Sequence, residues 1–258
     1  MGYEELQKLR PRYSAGCNVF RRFFAIHQSL GAERVTETAF IVESLTTNGY
    51  ALLRNFERTS PSHVAFAQLG LLENVEGLNP IQTLVPRDQA EALPNTYSGN
   101  FGTEDFPLHT DLAHWAVPPR YLALRCLQGS PTVATRLFDG EILVRELGAK
   151  LLRMALVQPR RPMRNGKQLL RLLERTDDPA LHRIRWDSIY LKAATPLASK
   201  VFASVQTILS EIEPLQVVLL DLGDTLIVDN WRCLHGRSSA AANSYSRHID
   251  RAYLTLLT

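Results

Sequence analysis

The chain has 258 residues, 45% of them hydrophobic and 21% charged, with a formal net charge of +3. That is the composition of a globular protein able to bury its own core, and it excludes a disordered or disulfide-framed chain. The charge balance gives no reason to expect a nucleic-acid or membrane partner. Within it, 24 of the 29 basic residues are Arg and five are Lys. Arg suits forked carboxylate recognition, though a GC-rich coding bias gives the same count.

The first 25 residues are mixed and basic, with a helix expected around Glu4 to Leu9. Val35, Ala39, Val42 and Leu45 share one helical face, which predicts a helix from about Glu33 to Thr47. Asn48-Gly49 stops it, because both residues tolerate the left-handed conformation. Tyr50 to Phe56 reads as a buried strand, and Ser60-Pro61-Ser62 opens a helix running to about Asn74. Beyond Pro80, short β-like runs alternate with Gly, Pro, Asn and Asp clusters. A helix follows from about Gly140 to Val157, capped by Asp139. Residues 158–195 are basic and irregular, and residues 196–212 are helical. Two strands flank the turn Gly223-Asp224, and HIDRAYLTLLT closes the chain as a strand.

There is no internal repeat. The pattern favours one α+β domain over residues 1–258, mainly β at its core and built on an antiparallel sandwich or barrel. Cys17, Cys126 and Cys233 are odd in number and form no CxxC pair, which points to buried free thiols in a reducing, cytoplasmic compartment. No secretory leader and no apolar run of roughly 20 residues is found, so no membrane crossing is expected. The oligomeric state is not legible.

Phe106-Pro107-Leu108-His109-Thr110-Asp111 is the most informative segment. In a strand, residues two apart share a face, so His109 and Asp111 can converge on one ion. His235, in DNWRCLHGR, is the best third ligand. Two His and one Asp make the facial triad of non-haem Fe(II) oxygenases, which leaves coordination positions open. The pair alone also fits a capping Asp and a hydrogen-bonded His in a turn. His27, His63 and His182 have no carboxylate at useful spacing, and His248 sits between basic residues. His114 would face away in a continuous strand. All five read as structural or surface residues.

Arg247 and Arg251 lie four apart in a strand-like run and would share a face. Two buried guanidiniums need carboxylate partners, which dicarboxylate ligands supply with forked geometry. The alternative is a solvated basic edge strand.

HTD, a strand bearing Thr135, GDTLIVDNWRCLHGR and the R-x-x-x-R pair together resemble the Fe(II)/2-oxoglutarate dioxygenases of the taurine dioxygenase and clavaminate synthase type. The match runs from about Gly49 to the C-terminus and is weak over 158–195, where such enzymes vary a lid. The resemblance implies a double-stranded β-helix (jelly roll) flanked by helices. It implies His109, Asp111 and His235 as iron ligands, and Thr135 and Arg247 on 2-oxoglutarate. Arg251 would meet an acidic group of the prime substrate, and Tyr97 and Trp115 could line its pocket or simply be core aromatics. Fe(II) would be the cofactor, with 2-oxoglutarate and O2 as cosubstrates. Because Asp111 is present, hydroxylation or a related oxidation is expected rather than halogenation. The substrate would be a small carboxylate-bearing molecule, an amino acid or a natural-product intermediate. Catabolism of a sulfonate or phosphonate is the alternative, and a zinc hydrolase on the same triad ranks behind both.

Overall fold

The computed structural model describes residues 33–161, 168–240 and 246–257. From Thr36 on, the described residues belong to one compact unit. The expected helix at Glu4 to Leu9, Cys17, His27 and part of the basic run at 160–164 lie outside the described residues.

Helix α1 (Glu33–Asn48) ends at Gly49, whose φ of 79° is the left-handed turn the sequence required. Strand β1 (Tyr50–Leu53), helix α2 (Ser62–Leu69) and strands β2 (Gly70–Leu72) and β3 (Ile81–Leu84) follow. Next come the short helix α3 (Tyr97–Phe101) and strands β4 (Phe106–His109), β5 (Tyr121–Gln128) and β6 (Ala134–Asp139). Helices α4 (Glu141–Leu147) and α5 (Ala149–Met154) precede five short strands: β7 (Leu156–Pro159), β8 (Leu170–Arg171), β9 (Leu173–Arg175), β10 (His182–Ile184) and β11 (Leu191–Ala193). Helix α6 (Pro196–Glu211) leads to β12 (Leu215–Val218), β13 (Thr225–Asp229), β14 (Cys233–Arg237) and β15 (His248–Leu257).

One sheet has the order β1-β13-β5-β15-β2, with β3 also on β15; a second has the order β12-β6-β14-β4. Every strand pair in both is antiparallel. The two-residue period of a strand assigns their faces. On β13, Ile227 joins Ile41, Leu45 and Phe66 under the helices, while Leu226 and Val228 join Leu137 and Val217 of the second sheet. On β5, Ala123 takes the helix side, and Leu122, Leu124 and Cys126 take the inner side. Both faces of the first sheet are therefore covered, which is why β13 is buried at every position. Beyond the second sheet, Leu108, Phe138 and Leu234 pack with Trp186, Val201 and Val205. Each such side chain contributes about 1.5–3 kcal/mol on burial. The result is the expected α+β architecture, mostly antiparallel sheet with few helices. Among the described residues no helix is long and apolar enough to cross a membrane.

Four local expectations need correction. The strand from Tyr50 stops at Leu53, because Asn55 and Glu57 turn the chain at φ 53° and 42°. Buried Arg125 holds that turn through the carbonyls of Phe56, Glu57 and Ser60. Asp224 takes Asn55 N at 3.2 Å and Arg54 at 2.6 Å, so the Gly223-Asp224 turn is a hub. Gly223 has φ 89°, and a Cβ there would lie 2.8 Å from Phe56 O. The helix from Ser62 ends at Leu69, and the chain passes directly into β2. The helix expected over 140–157 is two helices, broken at Gly148 with φ 81°. Its cap is Gly140, although Asp139 still accepts from Glu141 N at 3.1 Å. Residues 158–195, irregular in sequence, carry strands of two to four residues in two small antiparallel sheets. Such strands are too short to show a period, yet Leu170, Leu173, Ile184, Trp186 and Leu191 are core.

Candidate metal centre

His109 closes β4 and pairs in register with His235 of β14, so two imidazoles face each other across the ladder. The strands approach closely because Gly236 lacks a Cβ, which would meet Phe106 O at 2.5 Å. Asp111 lies beyond the strand end, in a turn where Leu112 adopts φ 54°. It therefore reaches the site by a turn and not by strand parity. Asn230, fully buried, fixes that turn: its Oδ1 accepts from Asp111 N at 2.6 Å, and its Nδ2 donates to Asp111 O at 3.0 Å and Pro119 O at 2.9 Å.

The three ligand atoms lie within 4.8 Å of one another, and all three residues are buried. His109 Nε2 is 3.3 Å from Asp111 Oδ1, and His235 Nε2 is 3.5 Å from the same oxygen. His109 Nδ1 donates to Pro107 O at 2.8 Å, which leaves the Nε2 lone pair for an ion. The second oxygen of Asp111 is taken from the opposite sheet: Tyr253 Oη donates at 2.7 Å and Arg251 Nη1 at 3.2 Å. One carboxylate oxygen is thus held back and the other presented, as single-oxygen ligation requires. Burial alone opposes ionisation of Asp111, but Arg251 and then His235 hold it well below the usual carboxylate range. Burial, then His109, pushes His235 down. Burial works the same way on His109, where the hydrogen bond and charge of Asp111 prevail and raise it. The donor set of two imidazoles and one carboxylate fits a divalent transition metal with open positions.

Tyr253, two residues past Arg251 on β15, is not marked in the sequence, because it stands 142 residues from the Asp111 that it serves. Tyr253→Phe removes one of the two donors on Asp111 Oδ2. It should weaken Fe(II) binding by about tenfold or more, as measured by anaerobic metal titration, while the fold is kept.

Thr135 is buried on β6, opposite Arg237 of β14. Arg247, 6% exposed, stands immediately before β15. Its Nε has no hydrogen-bond partner, and among the described residues no carboxylate pairs with it. Burial pushes its guanidinium down to about 10. Arg251 bonds Asp111 and, through Nη2, Gln82 Oε1. Tyr97 stacks on His109 with ring centroids 4.0 Å apart and planes 19° apart. Trp115 packs against the core between the sheets, and its carbonyl accepts from Arg185.

His114 departs from its expected outward orientation, because the strand ends at His109 and parity no longer applies. It is half-buried with Nδ1 unpartnered, its ring 6.0 Å from that of Tyr190. Asp187 was not singled out from sequence. It is buried, accepts from Ile189 N and Tyr190 N at 2.7 and 2.8 Å, and acts electrostatically on Tyr97, His109 and His114. Trp186 delivers it there, exchanging hydrogen bonds with Thr110 between two of the ligands. His182 has a carboxylate after all, Glu141 at 2.6 Å, from a segment too distant for spacing to reveal.

No family model and no curated protein matches this sequence. Solved structures do. An asparagine oxygenase in complex with Fe(II), 3-hydroxyasparagine and succinate matches with TM-score 0.66 and 16% identity, over 87% of this chain and 80% of that one. The non-haem iron oxygenase OrfP, with Fe, succinate and hydroxyarginine, gives 0.63 and 16%, over 87% and 79%. PvcB from Pseudomonas aeruginosa gives 0.61 and 17%, over 84% and 79%. At such identities the likeness defines a shared fold.

Proposed function

We propose that this chain is an Fe(II)- and 2-oxoglutarate-dependent dioxygenase of the taurine dioxygenase and clavaminate synthase type. It hydroxylates, or otherwise oxidises, an unactivated C–H of a small carboxylate-bearing molecule, an amino acid or natural-product intermediate, in the cytoplasm. The two facing antiparallel sheets are read as the halves of a double-stranded β-helix, in one domain over 1–258 with its lid at 158–195. The observation that carries the reading is the convergence of His109, Asp111 and His235; Arg247, a buried guanidinium without an acidic partner among the described residues, supports it. The structural likeness to an asparagine oxygenase and to OrfP supports an amino acid as substrate.

His109, Asp111 and His235 would hold Fe(II). Bound together, iron and 2-oxoglutarate supply oxygen activation and C–H oxidation, the cosubstrate leaving as succinate and carbon dioxide. The protein's own residues do the positioning. Arg247 and the Thr135 hydroxyl would receive the distal carboxylate of 2-oxoglutarate in forked geometry. Arg251 and Tyr253 hold Asp111 ionised and fixed in rotation. Arg251, already bonded to Asp111 and Gln82, would in addition meet an acidic group of the substrate, and the Tyr97 ring stacked on His109 would wall that side against water.

The test is anaerobic reconstitution with Fe(II), followed by oxygen and a panel of amino acids. Succinate should form from 2-oxoglutarate, faster with the true substrate than without one. Indifference to 2-oxoglutarate and oxygen, with zinc-dependent hydrolysis instead, would overturn the proposal.

A further inference from the structure

Arg237 ends the HGR run that His235 begins. It stands two residues past His235 on β14, on the same face, and pairs in register with Thr135. Directly opposed residues in such a ladder bring their Cβ atoms to about 5 Å. Its guanidinium lies 3.7 Å over the Phe106 ring, and Nη2 donates to Gly102 O at 2.9 Å and Glu104 O at 2.8 Å. Nε donates to Ser238 O at 3.3 Å. Every one of these acceptors is an uncharged carbonyl. The nearby acid, Asp105, is engaged by Arg136 at 2.8 Å.

The charges of Arg247 and Asp105 both reach the Arg237 guanidinium, with opposite signs. Arg247 is buried with no described carboxylate, Arg237 is half-buried, and Asp105 is already held by Arg136, so an anion that reaches both guanidiniums is favoured. Thr135, opposite one of them, adds a hydroxyl donor. The combination calls for a carboxylate.

We propose that Arg237 is the second cation of the pocket that receives the distal carboxylate of 2-oxoglutarate, and that its grip on Gly102 and Glu104 ties this pocket to the loop entering β4. The inference rests on the oxygenase reading. Arg237 is then a specificity-determining residue for a dianionic keto acid over a monoanionic one, and the carbonyl contacts orient it.

Anaerobic Fe(II)-loaded wild type, Arg237→Gln and Arg237→Lys are titrated with 2-oxoglutarate and with 2-oxovalerate, which has the same keto acid head and chain length but no distal carboxylate. Arg237→Gln should raise the 2-oxoglutarate Kd by about tenfold or more and leave that of 2-oxovalerate within about twofold. Iron content should not change. Arg237→Lys keeps the charge but cannot bridge both carbonyls, so it should recover most of the 2-oxoglutarate affinity. Equal weakening of both ligands, or Arg237→Lys as impaired as Arg237→Gln, would reduce Arg237 to a loop brace and overturn the proposal. Unchanged 2-oxoglutarate affinity in both variants would also overturn it. A wild type that binds iron but neither keto acid removes the oxygenase reading itself, and this inference with it.

Discussion

Asp111→Ala should lower 2-oxoglutarate-dependent turnover by about a thousandfold or more, because a metal centre contributes several kcal/mol to such chemistry. It should also destabilise the iron-free protein, which separates it from the histidine variants. Asp111 is the acceptor for Arg251 Nη1 and Tyr253 Oη, and it is buried. Removing one partner of such a pair leaves the other uncompensated, at a cost of about 3–5 kcal/mol. Arg251 retains Gln82, so the lower end of that range is expected. His109→Ala should abolish turnover equally but cost less stability, since only the Nδ1 bond to Pro107 O and its packing are lost. Succinate formation, bound iron and urea denaturation midpoints check the three statements. An Asp111→Ala protein that keeps its iron and its turnover would refute the ligand assignment.

The ligand set was legible because its chemistry is concentrated in residue types with few other reasons to converge. His109 and Asp111 stand two apart, and His235 follows a recognisable strand and turn. The support around them was hidden for a physical reason. Asn230, Gln82 and Tyr253 act on the site from 119, 29 and 142 residues away along the chain, by the distances that separate each from Asp111. No spacing rule spans such intervals. Apolar runs marked β13 and β15 as strands but not the strands over 156–193, where no run is longer than two periods. Strand parity failed at His109, where the strand ends and His114 comes round beside the site. It failed again at Arg247, which stands before β15 and across an irregularity in its register, so the face expected to be shared with Arg251 is not set by the strand. The Arg excess resolves the same way. Arg125 and Arg185 are bound by backbone carbonyls and serve the fold, whereas Arg247 is left without a described partner.

That distinction makes Arg247→Met the most informative single substitution. Burial holds its guanidinium down to about 10, so the folded state releases the proton more readily than the unfolded chain. The sign follows from linkage: from about pH 10 up to the ordinary guanidinium range the unfolded state binds more protons, so stability rises with pH across that window. Below it, at neutral pH, the charge destabilises the fold, by an upper estimate of about 3 kcal/mol. Arg247→Met is unbranched, fills similar volume and removes that penalty. The iron-loaded variant without cosubstrate should therefore melt higher than wild type, by roughly 2–4 °C for each kcal/mol recovered. The same change should erase the response to ligand. Wild type at 100 times its Kd for 2-oxoglutarate gains about 2.7 kcal/mol, whereas the variant should gain almost nothing at that concentration. Thermal melts with and without 2-oxoglutarate, under anaerobic Fe(II), read both effects from one preparation. A buried cation whose removal stabilises the empty protein while abolishing its stabilisation by a dianion is a binding residue. If the variant instead melts lower and still gains from 2-oxoglutarate, Arg247 is a structural residue and the cosubstrate carboxylate lies elsewhere.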